Sequence, residues 1–398
     1  MTRNAISRLI EQRSAVLDQE LIEKARDNYR RLNTGEKFEL ARSIAVCRRA
    51  EMTRRYRSVV HVIGGVRRRT TAGGESLQRS EPCVVFVVRR KQNEADLGTL
   101  QCLPRELLSH ALIGGQLAIC AVPTDVQHES RFLGAIAQAA TAVHSVPPGG
   151  LDDWGALACI VQGDGGERYA IAPAHVLSPY PPLNGQGIAE ENAKQFRVIH
   201  ASAPTDTVPC LEGTGYGGRL VPFPASSFDV QFARVTDSGR VSDAFAGIRW
   251  SSEHPSAVDL QDLFALMQNG VLLEILVPSN HKDRLGKADD VVLLADISTY
   301  CEDCPLTYVF GSPGTSKLVL HSVLELQLEP GPTTLSGDSG SPVGLPVDDG
   351  YVFVGMHIAG NFEAGTALVI PAWELFNHAR YVSVGGDMPP GPMNLLNP

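Results

Sequence analysis

No apolar run in this 398-residue chain approaches the roughly 18 residues that a membrane-spanning helix needs, so no membrane partner is expected. Behind Met1-Thr2-Arg3-Asn4 there is no apolar signal core, and a cytoplasmic location is the expectation. The eight cysteines are scattered, which fits reduced, partly buried thiols better than a disulfide framework. Cys301-Glu302-Asp303-Cys304 stands alone. Zinc would need two more ligands at a suitable spacing, and redox chemistry a thioredoxin-like setting, so neither metal nor cofactor is expected. Basic stretches such as Arg67-Arg68-Arg69 lack interleaved aromatics, which argues against nucleic acid as a partner.

Charge is present but uneven. Residues 1–128 carry 22 Lys/Arg against 14 Asp/Glu, and the rest carries 13 against 30, for a net charge of −9. Such asymmetry can steer an acidic partner to the front of the chain or draw the two halves together, and the second is favoured. Ile6, Leu9, Ile10, Val16, Leu17, Leu21, Ala25, Tyr29 and Leu32 fall near helical spacing. After the break at Thr34-Gly35, residues 38–55 resume it, so residues 1–57 read as a helical hairpin. Its stripe either packs on the next domain or docks a regulatory partner. From residue 58 the period changes: Val59–Val66, Cys83–Val88 and Leu117–Val122 read as strands and Pro104–Leu112 as a short helix, a small α/β module over 58–128. Residues 129–149, rich in Ala, Gly and Pro, read as a linker.

The rest of the chain is organised around Gly337-Asp338-Ser339-Gly340-Ser341-Pro342, between the alternating run Leu324–Leu328 and the apolar run Tyr351–His357. A polar hexapeptide between strand-like runs reads as a tight loop that is either an ordinary Gly/Ser turn or the seat of a nucleophile. Such a loop can present one hydroxyl while aiming the N–H groups of Gly337 and Ser339 at one point. Upstream, Ala156–Val161, the turn Gly163-Asp164-Gly165-Gly166 and Tyr169–Leu177 read as a hairpin ending in His175. Between them, Phe228-Asp229-Val230-Gln231-Phe232 has an acid opening an alternating strand. A nucleophilic serine needs a base, and the base needs an orienting carboxylate.

These three segments, in the order His, Asp, Ser, resemble chymotrypsin-like serine proteases of a bacterial, cytosolic type. The resemblance implies a catalytic triad of His175, Asp229 and Ser339 and an oxyanion hole from the Gly337 and Ser339 amides. Asp206 and Asp259 are the fallback acids. It also implies a mainly β fold, a double β-barrel over residues 150–385, with a Pro/Gly-rich, flexible tail over 386–398. Within that domain 179–187 and 201–218 read as loop insertions, 259–269 as a short helix and 371–380 as a closing helix. Val62-Ile63-Gly64-Gly65 is similar to a trypsin activation terminus but lies too far before His175 for that job, so Asp338 needs another partner.

Thr333 stands six before Ser339, where trypsins carry an acid, so cleavage after Arg or Lys is not expected. Instead Gly355-Met356-His357-Ile358-Ala359-Gly360-Asn361 resembles the pocket strand of glutamyl endopeptidases and picornavirus processing proteases. That implies a pocket built by Thr334, His357 and Gly360 for a Glu or Gln side chain. The competing account is a core histidine satisfied by a neighbouring hydroxyl. The functional expectation is an endopeptidase acting on protein or peptide substrates, with two rivals: a catalytically silent binding protein of the same fold, and a protease latent until a partner engages the N-terminal region.

Overall fold

The computed structural model describes residues 19–56, 58–66, 81–88, 103–128, 133–134, 144–146, 155–177, 195–197, 208–221, 225–243, 245, 248–267, 271–277, 292–310, 314–335, 337–361, 364–383 and 393–397. The chain forms two units, Met1–Glu129 and Ser130–Pro398. Among the described residues no helix is long and apolar enough to cross a membrane.

Unit 1 holds helices α1 (residues 19–31) and α2 (Thr34–Arg55) and strands β1 (Val59–Val66), β2 (Pro82–Val88), β3 (Glu106–Ile113) and β4 (Gln116–His128). Asn33 caps α2, accepting from the Glu36 amide while the Glu36 carboxylate accepts from the Asn33 amide. The helices and the sheet share one core, in which Tyr29, Leu40, Ile44 and Met52 meet Val62, Val84, Phe86 and Val122. They are therefore one packed body, where the sequence suggested separate modules. Gly64 is the point of closest approach: a Cβ there would lie 2.8 Å from the Arg42 Cα. That gives the Ile63-Gly64-Gly65 string a packing role.

One expectation fails here. Residues 104–112 are not a helix; Glu106–Ile113 is a strand paired antiparallel with β4 from Glu106↔Pro123 to Ile113↔Gln116. The turn is Gly114-Gly115, at φ +58° and +80°, the geometry that joins tight hairpins. Leucines 107, 108 and 112 imitate helical spacing, but the two glycines decide for the hairpin.

Unit 2 begins with β5 (Leu133–Gly134), β6 (His144–Val146), β7 (Cys159–Gln162), β8 (Arg168–Ala172) and, one residue on, the single helical turn α3 (Ala174–Leu177). Then come β9 (Gln195–Arg197), β10 (Leu211–Gly217), β11 (Ser226–Ser227) and β12 (Gln231–Val235). The second half carries β13 (Leu273–Leu276), β14 (Val292–Phe310), β15 (Gly314–Leu328), β16 (Pro342–Val347), β17 (Gly350–Asn361) and β18 (Thr366–Pro371). Short strands β19 (Val382–Ser383) and β20 (Asn394–Leu396) close it.

Two sheets result. The first runs β20-β7-β8-β12-β10-β9-β6, with β19 on β10. Its core joins Leu157, Ile160, Ala170, Leu211 and Ala233 to Val176 and Leu177 of α3. The second closes on itself: β13 pairs β14, β14 pairs β15, β15 pairs β18, β18 pairs β17, β17 pairs β16, and β16 returns to β13. This six-stranded barrel is one of the two expected; the other half is an open sheet in the described pairings. β17 is buried over nearly its whole length, as a strand covered on both faces should be.

Several loop expectations also change. Residues 133–134 and 144–146 of the expected linker pair with β17 and β9. Within 201–218, Leu211–Gly217 is a strand between β12 and β9. Of the expected tail, residues 386–392 and 398 lie outside the described residues, but Asn394–Leu396 pairs with Ile160–Gln162, and the Asn397 side chain accepts from the Trp250 amide at 2.7 Å. The short helix is Leu260–Leu266, and the closing one is a single turn, Ala372–Leu375, before a 3-10 turn at His378–Arg380. Insertion 179–187 lies outside the described residues.

Candidate active site

His175 follows β8, and Asp229 precedes β12. These strands are antiparallel neighbours with Ala172 opposite Gln231. Register alone therefore brings a residue three after Ala172 beside one two before Gln231. Pro173 ends the strand, and its carbonyl accepts from the Val176 and Leu177 amides, which starts α3. Val176 and Leu177 anchor that turn in the core. At roughly 1.5–3 kcal/mol per fully buried aliphatic side chain, this is a firm seat for the histidine.

Asp229 is fully buried and holds His175 twice. Its Oδ2 lies 2.6 Å from His175 Nδ1, and its Oδ1 accepts from the His175 backbone N–H at 3.1 Å. A carboxylate only accepts, so Nδ1 carries the proton and the tautomer is fixed. Neither fallback acid takes this place. Asp259 caps the helix Leu260–Leu266 by accepting from the Asp262 amide, and Asp206 lies outside the described residues. Next to Asp229 in the chain, Phe228 joins Phe232 and Tyr216 in packing around Tyr381, with ring centroids 5.4 Å, 4.9 Å and 5.1 Å from it. Burial raises the Tyr216 and Tyr381 phenols above their ordinary value.

Ser339 lies in the β15–β16 connection. The ladder that pairs Pro342 with Met356 continues past its end: Gly340 donates to the His357 carbonyl at 2.7 Å and His357 to the Ser341 carbonyl at 2.9 Å. Ser339 thereby faces Ile358, and its hydroxyl donates to the Ile358 carbonyl at 3.0 Å. The turn is closed by Asp338→Leu335 and Ser341→Asp338 backbone bonds. Asp338 finds its partner locally, accepting from the Leu335 amide at 2.6 Å. Gly337 and Gly340 adopt φ +101° and +100°, which a side chain would resist.

The serine turn is docked on the first sheet beside the histidine. Ala156 donates to the Ser339 carbonyl at 2.7 Å. Gly155 is wedged between the two elements: a Cβ there would meet the Val176 methyls at 2.3 Å and the Ser339 carbonyl at 2.9 Å. The serine turn and the turn that carries His175 thus meet at Gly155, with Asp229 bonded to the histidine.

Of the three expected pocket residues, Thr334 and Gly360 are close neighbours, and His357 lies on the same strand as Gly360. Thr334, His357 and Gly360 are all buried, and a Cβ on Gly360 would lie 2.1 Å from Thr334 Oγ1. His357 Nδ1 donates to the Leu368 carbonyl at 3.2 Å. Among the described residues the hydroxyls of Thr334 and of Thr366 are buried without a hydrogen-bond partner. Thr366, the carbonyls of Ile358 and Leu368, and Gly155-Ala156 were not singled out from sequence. Backbone carbonyls leave no residue-type signal, and Thr366 is one threonine among many. Among the described residues no cluster of His, Cys, Asp and Glu could hold a metal ion, and Cys301 and Cys304 are in no disulfide.

No family model and no curated protein matches this chain. Solved structures do. The NS6 protease from murine norovirus 1 is similar at 17% identity over 51% of this chain and 80% of its own, with a TM-score of 0.24. The Nocardiopsis protease NAPase is similar at 15% identity over 57% of this chain and 90% of its own, with a TM-score of 0.29.

Proposed function

We propose that this protein is a serine endopeptidase of the chymotrypsin type, with Ser339 as nucleophile, His175 as base and Asp229 as the orienting acid. The observation that carries the reading is the doubly bonded Asp229–His175 pair beside the docked serine turn. The chemistry follows from proton positions. With Nδ1–H given to Asp229, His175 Nε2 is the basic nitrogen; it takes the Ser339 proton during attack and returns it to the leaving amine. Buried Asp229 stabilises the imidazolium that forms. The loop's own bonds use the amides of Asp338, Gly340 and Ser341, the complement of the Gly337 and Ser339 amides assigned to the oxyanion. Each such donor contributes on the order of 3 kcal/mol to the transition state.

The pocket reading is cleavage after Gln or Glu. Thr334 and Thr366 are buried hydroxyls short of partners, and a substrate side-chain oxygen would satisfy them. With Nδ1–H on Leu368, neutral His357 offers an acceptor at Nε2, which suits the amide NH₂ of Gln. The imidazolium form instead offers a donor, which suits Glu.

A resting, latent form is favoured by one observation. Ser339 is fully buried, and its single proton is committed to the Ile358 carbonyl, so attack requires a turn about χ1. Fluorophosphonate labelling tests both readings. Ser339-dependent labelling of the purified protein marks a competent site, and labelling restored only by cell extract marks a latent one. No labelling under either condition would defeat the enzyme reading. A peptide library then reads the residue before the cut; a dominant basic or bulky aromatic residue would defeat the pocket.

A further inference from the structure

β14 and β15 form a long ribbon, paired from Ala295↔Leu328 out to Phe310↔Gly314. Their barrel partners stop early. β13 follows β14 only to Ala295, and β18 follows β15 only over Leu324–Gln327. Past those points β13 and β18 no longer pair with the ribbon. There stands Asp303, at φ +53° the only non-glycine residue with positive φ among the described residues. The pairs Glu302↔Ser322 and Cys304↔Leu320 flank it. A left-handed residue other than glycine costs roughly 1–2 kcal/mol, least for Asp and Asn, so the bend needs compensating bonds.

The compensation comes from the loop that carries Asp229. Ser226 donates its hydroxyl to Asp303 Oδ1 at 3.0 Å, and His321 Nδ1 lies 3.9 Å from the same oxygen. Just beyond the bend, β11 pairs in parallel with the ribbon, Ser226↔Val319 and Ser227↔Leu320. Asp229 follows two residues later. The other side of the loop is fixed as well. Ser227 Oγ bonds both the amide and the carbonyl of Val221, and Phe228 donates to the Arg219 carbonyl at 2.8 Å. Gly218 closes it, because a Cβ there would lie 2.1 Å from the Phe228 carbonyl oxygen. Local bonds thus set the loop's shape, and the ribbon sets where it sits.

We propose that Asp303, through Ser226, makes the ribbon a strap that positions Asp229 against His175. Asp303 is a positioning residue: it reaches the reacting atoms only through Ser226, Ser227 and Phe228. The proposal rests on the triad reading for its catalytic consequence, but its geometric consequence stands apart. The strap also ties the acid loop of the first sheet to an arm of the barrel sheet, so whatever moves the arm moves the acid.

The test compares Ser226→Ala, Asp303→Gly and Asp303→Asn with the wild-type full-length protein. Asp303→Gly keeps the bend and removes the acceptor, whereas Asp303→Asn keeps both. The first readout needs no turnover: the His175 Nδ1 proton in NMR, assigned by its loss in His175→Ala. Ser226→Ala and Asp303→Gly should shift this signal upfield and speed its exchange with water, while Asp303→Asn leaves it in place. The second readout is kcat against KM on a peptide substrate. The two disruptive variants should lose about tenfold in kcat with KM within about twofold, below the ~10²-fold that a 1 Å misplacement can cost. An unmoved proton in both disruptive variants overturns the strap, as does an equal shift in Asp303→Asn or a loss confined to KM. If the proton shifts but the wild-type protein neither labels nor turns over, the protease reading fails and the strap stands.

Discussion

Gly360 and Thr334 stand so close that a Cβ on Gly360 would lie 2.1 Å from the threonine hydroxyl. A loop and a strand bring them together: Thr334 lies in the connection from β15 to β16, and Gly360 sits near the end of β17. The contact leaves no room for a side chain at Gly360. Gly360→Ala should therefore crowd Thr334 and block the proposed pocket, with overpacking of about 1–3 kcal/mol. The expected outcome is a large loss of kcat/KM on Gln and Glu peptides while a small fluorophosphonate still labels Ser339. Equal activity on those peptides would remove Gly360 from the pocket.

Thr334→Val separates stability from selectivity. Its hydroxyl is buried without a partner, so replacing it with a methyl should leave thermal stability unchanged or raise it by about 1 kcal/mol. Selectivity for Gln or Glu should fall in the same variant. A marked drop in melting temperature with selectivity intact would make Thr334 an ordinary structural residue.

Asp229→Asn tests the acid. Asparagine can still accept from the His175 amide, but its NH₂ presented to Nδ1 would favour the wrong tautomer. Turnover should fall by roughly 10⁴ with the fold retained. A loss below about tenfold would end the triad assignment.

Truncation before Asn394 should destabilise the catalytic unit. It exposes the β7 edge, frees Leu396 from the first-sheet core and removes the Asn397 bond to Trp250. A fall of a few degrees in melting temperature is expected, from roughly 1–3 kcal/mol. An unchanged melting curve would show that the last strand adds nothing.

Ser339→Ala should abolish hydrolysis in a folded protein, because the turn is held by backbone bonds that alanine keeps. Circular dichroism and a peptide assay decide it, and unchanged cleavage would overturn the nucleophile.

Much of the site was legible because it lies in short stretches where residue type and backbone need coincide. Gly337 through Pro342 could be read as a turn from composition, and His175 and Asp229 each mark the end of an apolar strand. Thr334, His357 and Gly360 were also visible, one just before the serine and two on the strand after it. Their convergence was not, since it depends on antiparallel register between β8 and β12 and on the ladder that runs past Met356 to Ser339.

What the amino-acid order determined by itself was local: which segments extend, where glycines permit turns, and which side chains have reactive chemistry. Even there, Gly114-Gly115 outweighed the leucine spacing that imitated a helix at residues 104–112. Tertiary structure alone decided that a Pro/Gly-rich tail supplies a strand and that Gly-rich residues 211–217 pair on both edges. It also placed Asp303 in a bend tied to the loop of Asp229. Such outcomes depend on backbone N–H and C=O groups, which every residue carries alike, so the partner is chosen by the neighbouring strand and not by the residue's own side chain.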